Sequence, residues 1–151
     1  MYSLVRRYIK TAILFLGVGL VLGGWMMVRR ELASAAPSSY MISAHTHAIF
    51  VGFVMMMILG VALWMFPRPE KGDTRYSPRA AEGAYWLVTI GTSGRIAGEL
   101  ARQQLGSPAL RWTVMLCGLA QVAGIGLFFI NMWPRIRPVG SQAREARGEK
   151  F

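Results

Sequence analysis

His45 and His47 are the two histidines of this chain, and they open an apolar run over 42–66 that carries no other ionisable group. Ionisable residues inside a membrane segment are costly and tend to mark functional positions. Neutral imidazole is a ligand for iron, copper and zinc. A discrete metal ion, however, takes three or four protein ligands in most sites. Two residues of an α-helix separated by two positions stand about 200° apart, so His45 and His47 face opposite sides and cannot chelate one ion. Glu99 is the one acid within a helix core, and Cys117 is the one cysteine. A zinc or copper centre is therefore disfavoured.

Haem makes a smaller demand, because the porphyrin supplies four ligands and the protein adds one or two. The helix face around His45 reads Ala48, Ile49, Gly52, Met56, Leu59 and Leu63, with Gly60 at its edge. Ala48 and Gly52 would let a ring plane approach the backbone. The His47 face reads Phe50, Val51, Val54, Ile58, Val61 and Met65, which suits packing or lipid. On this geometry His45 is the better axial ligand. His47 is then a hydrogen-bond partner, a propionate contact or a ligand on the other side. The competing reading makes both histidines interfacial residues, where polar tips are tolerated. Met55, Met56 and Met57 read as adaptable packing, and Met56 lies about three turns from His45, too far to share its iron.

The elements that must position these side chains are membrane helices. The 151 residues are 54 % hydrophobic and 16 % charged, and a bilayer core takes about 20 apolar residues per helix. Four spans follow, over 11–30, 41–66, 82–105 and 110–133. They predict an all-α integral membrane four-helix bundle, with one transmembrane domain over 1–137 and a basic polar tail over 138–151. The third span is interrupted by Arg95, Glu99 and Arg102. Arg95 and Glu99 are spaced i, i+4 and can pair, either fixing the bundle or leaving Arg95 or Arg102 to neutralise an anionic ligand. Gly19 and Gly23 form a G-x-x-x-G pair that marks a closely packed face. Ser39 or Ser43 is placed to cap the second helix. Gly106-Ser107-Pro108 reads as a tight turn, and Cys117 as a small core residue.

The first span resembles a secretory signal only in part. Its apolar core of about 18 residues exceeds the usual 7–15, and Arg29, Arg30 and Glu31 separate it from Ala33-Ser34-Ala35, so it reads as a spanning helix. The net charge of +10 is unevenly placed. Arg6, Arg7 and Lys10 precede the first span; Arg68, Lys71, Arg75 and Arg79 lie between the second and third; Arg135, Arg137, Arg144, Arg147 and Lys150 follow the fourth. The positive-inside rule puts both termini in the cytoplasm and makes the charge a topology signal, with no nucleic-acid partner. The expected place is the cell's inner membrane, crossed several times.

His45-Thr46-His47-Ala48, then Phe50, Gly52-Phe53 and the exit from Trp64 to Arg68, resemble the second helix of the haem–copper oxidase catalytic subunit. The likeness is nearest to the cbb3-type oxidases and nitric oxide reductases, and it extends over about 10–137, through AYWLVTIGTSGRIAGE (84–99) and NMWPRIRP (131–138). The resemblance implies haem b, with His45 on the low-spin haem ligand and His47 on the polar residue that follows it. The family's subunit has many more helices than four, and no histidine stands here beyond His47. Copper ligands and an active-site haem ligand are thus missing, and oxygen or nitric oxide reduction by this chain alone is not expected. Either the iron is five-coordinate on His45, or two chains each supply a histidine in a homodimer or higher homo-oligomer. Arg29, Arg30, Arg95, Arg102 and Arg111 are the candidates for the haem propionates. The implied roles are haem trafficking or insertion, or single-electron transfer, with oxidase components or haem acceptors as partners. The alternatives are a non-catalytic assembly or accessory subunit of a respiratory complex and a haem-based gas sensor.

Overall fold

The computed structural model describes residues 2–67 and 75–136, with Gly140, Arg144, Arg147 and Gly148 of the tail. Arg68, Lys71, Arg137 and Lys150, read above as topology signals, lie outside the described residues, as does most of the tail. Four helices follow one another: α1 (Tyr2–Ala33), α2 (Ser39–Met65), α3 (Pro78–Leu105) and α4 (Ala109–Met132), the last ending in a 3₁₀ turn, Trp133–Arg135. No strand occurs among the described residues. Three of the helices, α1, α2 and α4, are long and apolar enough to cross a membrane. The chain is a multi-pass integral membrane protein. The third expected span falls short because Arg79, Glu82, Arg95, Glu99 and Arg102 are distributed along α3.

Several boundaries differ from expectation: α1 runs on to Ala33 and not 30, α2 starts at Ser39 and not 41, and α3 starts at Pro78 and not 82. α1 begins nine residues before the predicted span, because Val5, Tyr8, Ala12 and Phe15 continue a buried stripe at spacings of three and four. The helix therefore outlasts its apolar core, and Arg6, Arg7 and Lys10 are helical. At α2 the cap is Ser38, not Ser39 or Ser43: its backbone is extended, and its hydroxyl accepts the Met41 N–H at 3.2 Å. Ser77 does the same for α3 with Pro78 at the first helical position, a favoured arrangement. Gly106, at φ +60°, closes α3 in the left-handed conformation that suits glycine.

The middle of α2 is not α-helical. Ala48–Met55 is wound as a π-helix, in which Met56 N–H reaches Val51 C=O five residues back. The wider turn keeps Ala48, Gly52 and Met56, spaced by four, in one line; all three are buried. Both histidines precede this segment, within Ser39–His47, so the 100° rule that sets them apart applies to them.

The helices pack as a row rather than a closed bundle. α1 lies on α2, α2 on α3, and α4 chiefly on α3. The row folds together at the end away from the histidines. There the Tyr8 hydroxyl donates to Ala81 C=O, and the Tyr8 ring meets Tyr85 and Phe128 edge-on, at 5.1 and 6.0 Å. Asn131 brackets the start of α3, donating to Ser77 C=O and accepting from Ser77 N–H. Arg135 is 3 % exposed. It donates to the carbonyls of Leu63, Phe66 and Pro67 at the end of α2, with its cation 4.7 Å from the Tyr76 ring centroid. The sequence places it among the topology charges; in the fold it is an interior cap.

The α3–α4 contact is backbone to backbone. A methyl group at Gly91 would lie 2.8 Å from the Cys117 carbonyl oxygen and 3.0 Å from the Gln121 nitrogen. Neither atom can rotate away, so the helices must separate. Gly91→Ala is expected to cost about 1–3 kcal/mol, measured as a lower thermal unfolding midpoint in detergent. A midpoint equal to wild type would sink the close-approach reading. Cys117, expected in the core, is half-buried, with its Sγ filling the space left open at Gly94.

Candidate functional site

The two imidazoles sit on opposite flanks of the buried stripe, between Ala44 and Ala48. His45 turns to α1. Its Nδ1 lies 2.9 Å from the Gly19 carbonyl oxygen, an acceptor, so Nδ1 carries the proton and Nε2 keeps its lone pair. The ring packs against Gly23, where a methyl group would stand 2.9 Å from His45 Cε1. Gly19 and Gly23, read from sequence as a packed face, are thus the seat of one imidazole. A backbone carbonyl fixing one nitrogen of a histidine and leaving the other open is the usual support of a metal-binding imidazole.

His47 is on the flank that meets α3. Its Nδ1 faces its own helix, 2.9 Å from Ser43 C=O and 3.4 Å from Ser43 Oγ. The Ser43 hydroxyl donates to Glu99 Oε1 at 2.7 Å, and the same oxygen accepts from Arg95 Nε at 3.1 Å. Glu99 is 3 % exposed, and its Oε2 has no partner among the described residues. The expected i, i+4 pair is therefore made, and it serves to join α3 to α2 through Ser43. Sequence spacing gives the Arg95–Glu99 pairing but not the cross-helix contact with Ser43, which depends on how α2 and α3 are registered.

The remaining candidates are dispersed. Gly52, expected to admit a ring plane, admits Phe15 instead: a methyl group there would be 2.5 Å from Phe15 Cγ. Tyr8 likewise fills the space at Gly60. The buried stripe below the histidines is closed by α1, and a porphyrin has no entry along it. Arg29 lies 5.9 Å from the Trp25 ring centroid and Arg102 5.0 Å from that of Tyr40. Arg30 pairs with Glu31 at 3.4 Å, both exposed, and Arg111 is exposed in the first turn of α4. Among the described residues no hydrogen bond or ion pair joins these arginines to His45; each has its own surroundings. Met56 is fully buried, with its sulfur 3.9 Å from the Thr89 hydroxyl. Among the described residues no three His, Cys, Asp or Glu side chains come together as a metal site. The donor set suits a group that brings its own equatorial ligands and takes one imidazole.

The family model for cytochrome c and quinol oxidase polypeptide I matches residues 3–146. The chain belongs to that family. The match covers all four helices and points to a haem-binding membrane protein of the oxidase type. No curated protein and no solved structure matches the chain. Both imidazoles have Nδ1 at a backbone carbonyl, but His45 meets that of Gly19 on the neighbouring helix α1 and His47 that of Ser43 on its own.

Proposed function

We propose that this oxidase-family chain binds haem b through Nε2 of His45 and serves haem transfer or single-electron transfer, without reducing oxygen itself. The observation that carries this reading is the 2.9 Å contact from His45 Nδ1 to Gly19 C=O, which leaves Nε2 as a lone-pair donor. Bound haem would supply reversible one-electron chemistry at its iron. The residues of the chain do the rest: Gly19 sets the tautomer, Gly23 gives the ring its place, and Phe15 keeps the helices beneath closed. His47 acts as a neighbour tied to α3. With both termini in the cytoplasm, as the basic residues favour, His45 lies towards the outer face of the inner membrane.

A homodimer fits the same facts. With the stripe below His45 filled by Phe15 and Tyr8, a macrocycle on Nε2 would stand at the rim of the chain. A second chain across a two-fold axis would cover it and supply a second imidazole to hold it. Haem b and chain are therefore expected in a ratio of one to two in the purified protein, with no carbon monoxide binding after reduction. A one-to-one ratio with carbon monoxide binding favours the five-coordinate form and a gas-binding role. Purified protein that holds no haem even when haem is supplied would leave a packing or assembly subunit as the reading.

A further inference from the structure

The end of α4 has two faces. Gln121, Gly124, Phe128, Asn131 and Arg135 form a buried stripe at helical spacing, turned to the rest of the chain. Gly126, Phe129, Ile130 and Trp133 are spaced by three and four and stand on the opposite side. Ile130 and Trp133 are each 75 % exposed. Exposed apolar side chains are ordinary on a membrane helix, but two features set this face apart. It is concave: Gly126, Phe129, Ile130, Trp133 and Pro134 line a groove of about 850 Å³. Gly126 is part of the reason, since a methyl group there would meet nothing within 4 Å. The groove is also charged, because Arg75, from the connection between α2 and α3, belongs to the same lining. Among the described lining residues there is no acid. Sites that take a whole organic ligand run to about 300–1,000 Å³, and this groove is of that size.

Position and charge select the occupant. Trp133, at the end of a spanning helix, stands where hydrocarbon gives way to headgroups. The basic residues favour this end as the cytoplasmic one, and anionic lipids of the cytoplasmic leaflet attract Lys and Arg. Arg135 is committed to the carbonyls at the end of α2, which leaves Arg75 as the cation of the groove. A guanidinium presents a planar fork that matches phosphate oxygens. In a zwitterionic lipid the headgroup's own ammonium competes for that phosphate. A second copy of the chain is the poorer fit, because a two-fold contact here would bring two Arg75 side chains to one interface.

We infer that this groove is a site for one anionic phospholipid, with Arg75 on the phosphate and an acyl chain lying over Gly126.

The full-length protein is stripped of lipid in detergent and offered equal amounts of phosphatidylglycerol and phosphatidylethanolamine with the same acyl chains. Native mass spectrometry then counts what stays bound. One phosphatidylglycerol per chain is expected, retained about tenfold over the zwitterion, a factor that corresponds to one charge-assisted hydrogen bond. Arg75→Gln should bring the preference close to unity. Gly126→Leu fills the groove from a position with open space, so α4 keeps its packing while both lipids are lost. Arg79→Gln removes an exposed basic residue of the same end that does not line the groove, and should keep the preference. Equal retention of the two lipids by wild type would overturn the inference. A preference that falls equally in Arg75→Gln and Arg79→Gln would overturn it too, since a diffuse basic surface gives that result. A Gly126→Leu variant that still holds phosphatidylglycerol but loses a dimer mass would assign the groove to a second copy instead.

Discussion

His45→Ala is expected to abolish the haem spectrum while leaving the fold in place. The imidazole is the chain's proposed ligand on the α1 flank, so its loss removes the iron bond outright. Its structural share is smaller. One hydrogen bond to Gly19 C=O disappears, worth about 1 kcal/mol net, and that carbonyl stays within helix α1. The variant should therefore purify as a helical protein without Soret and α bands. His47→Ala should keep the bands, because Ser43, Glu99 and Arg95 continue to join α2 and α3 without it. Gly23→Ala is the intermediate case: its methyl group would press on His45 Cε1 at 2.9 Å, rotate the ring and lower haem affinity. If only the His47 change removes the bands, the assignment of the ligand to His45 is wrong.

Arg135→Ala should give the largest loss of stability in the chain, about 3 kcal/mol. The guanidinium satisfies three carbonyls, those of Leu63, Phe66 and Pro67, where α2 ends and leaves them without helical partners. A hydrogen bond from a charged donor contributes about 1.5–3 kcal/mol, and a buried acceptor left unpaired carries a desolvation cost. The positive charge also lies at the negative end of the α2 dipole, and the Tyr76 contact is lost with it. Arg135→Lys should recover only part, since an ammonium cannot present the planar fork that reaches separate carbonyls. Thermal unfolding in detergent, followed by far-ultraviolet circular dichroism, reads both variants. An alanine variant as stable as wild type would show that the three carbonyls are served otherwise.

Much of this architecture is legible in the residues. Long charge-free runs give α1, α2 and α4, and Pro78 and Gly106 bound α3 by known capping rules. The opposition of His45 and His47 follows from helix geometry alone. Three features escape a single sequence for physical reasons. The π-wound stretch at Ala48–Met55 has no local code, because it answers to the close packing of α1 on a line of small residues. The role of Gly52 depends on which ring lies opposite, and Phe15 is known only once α1 and α2 are in register. Arg135 looks like any juxtamembrane cation until the end of α2 is brought beside it. At the site, the Arg95–Glu99 pair was visible in its spacing. The contact of Glu99 with Ser43 was not, since it depends on how α2 and α3 are registered.

The most direct measurement is the reduced-minus-oxidised absorption difference spectrum of the purified full-length protein, supplied with haem b. A Soret band and an α band that vanish in His45→Ala and persist in His47→Ala are the predicted result. A flat spectrum from the wild-type protein would contradict the account.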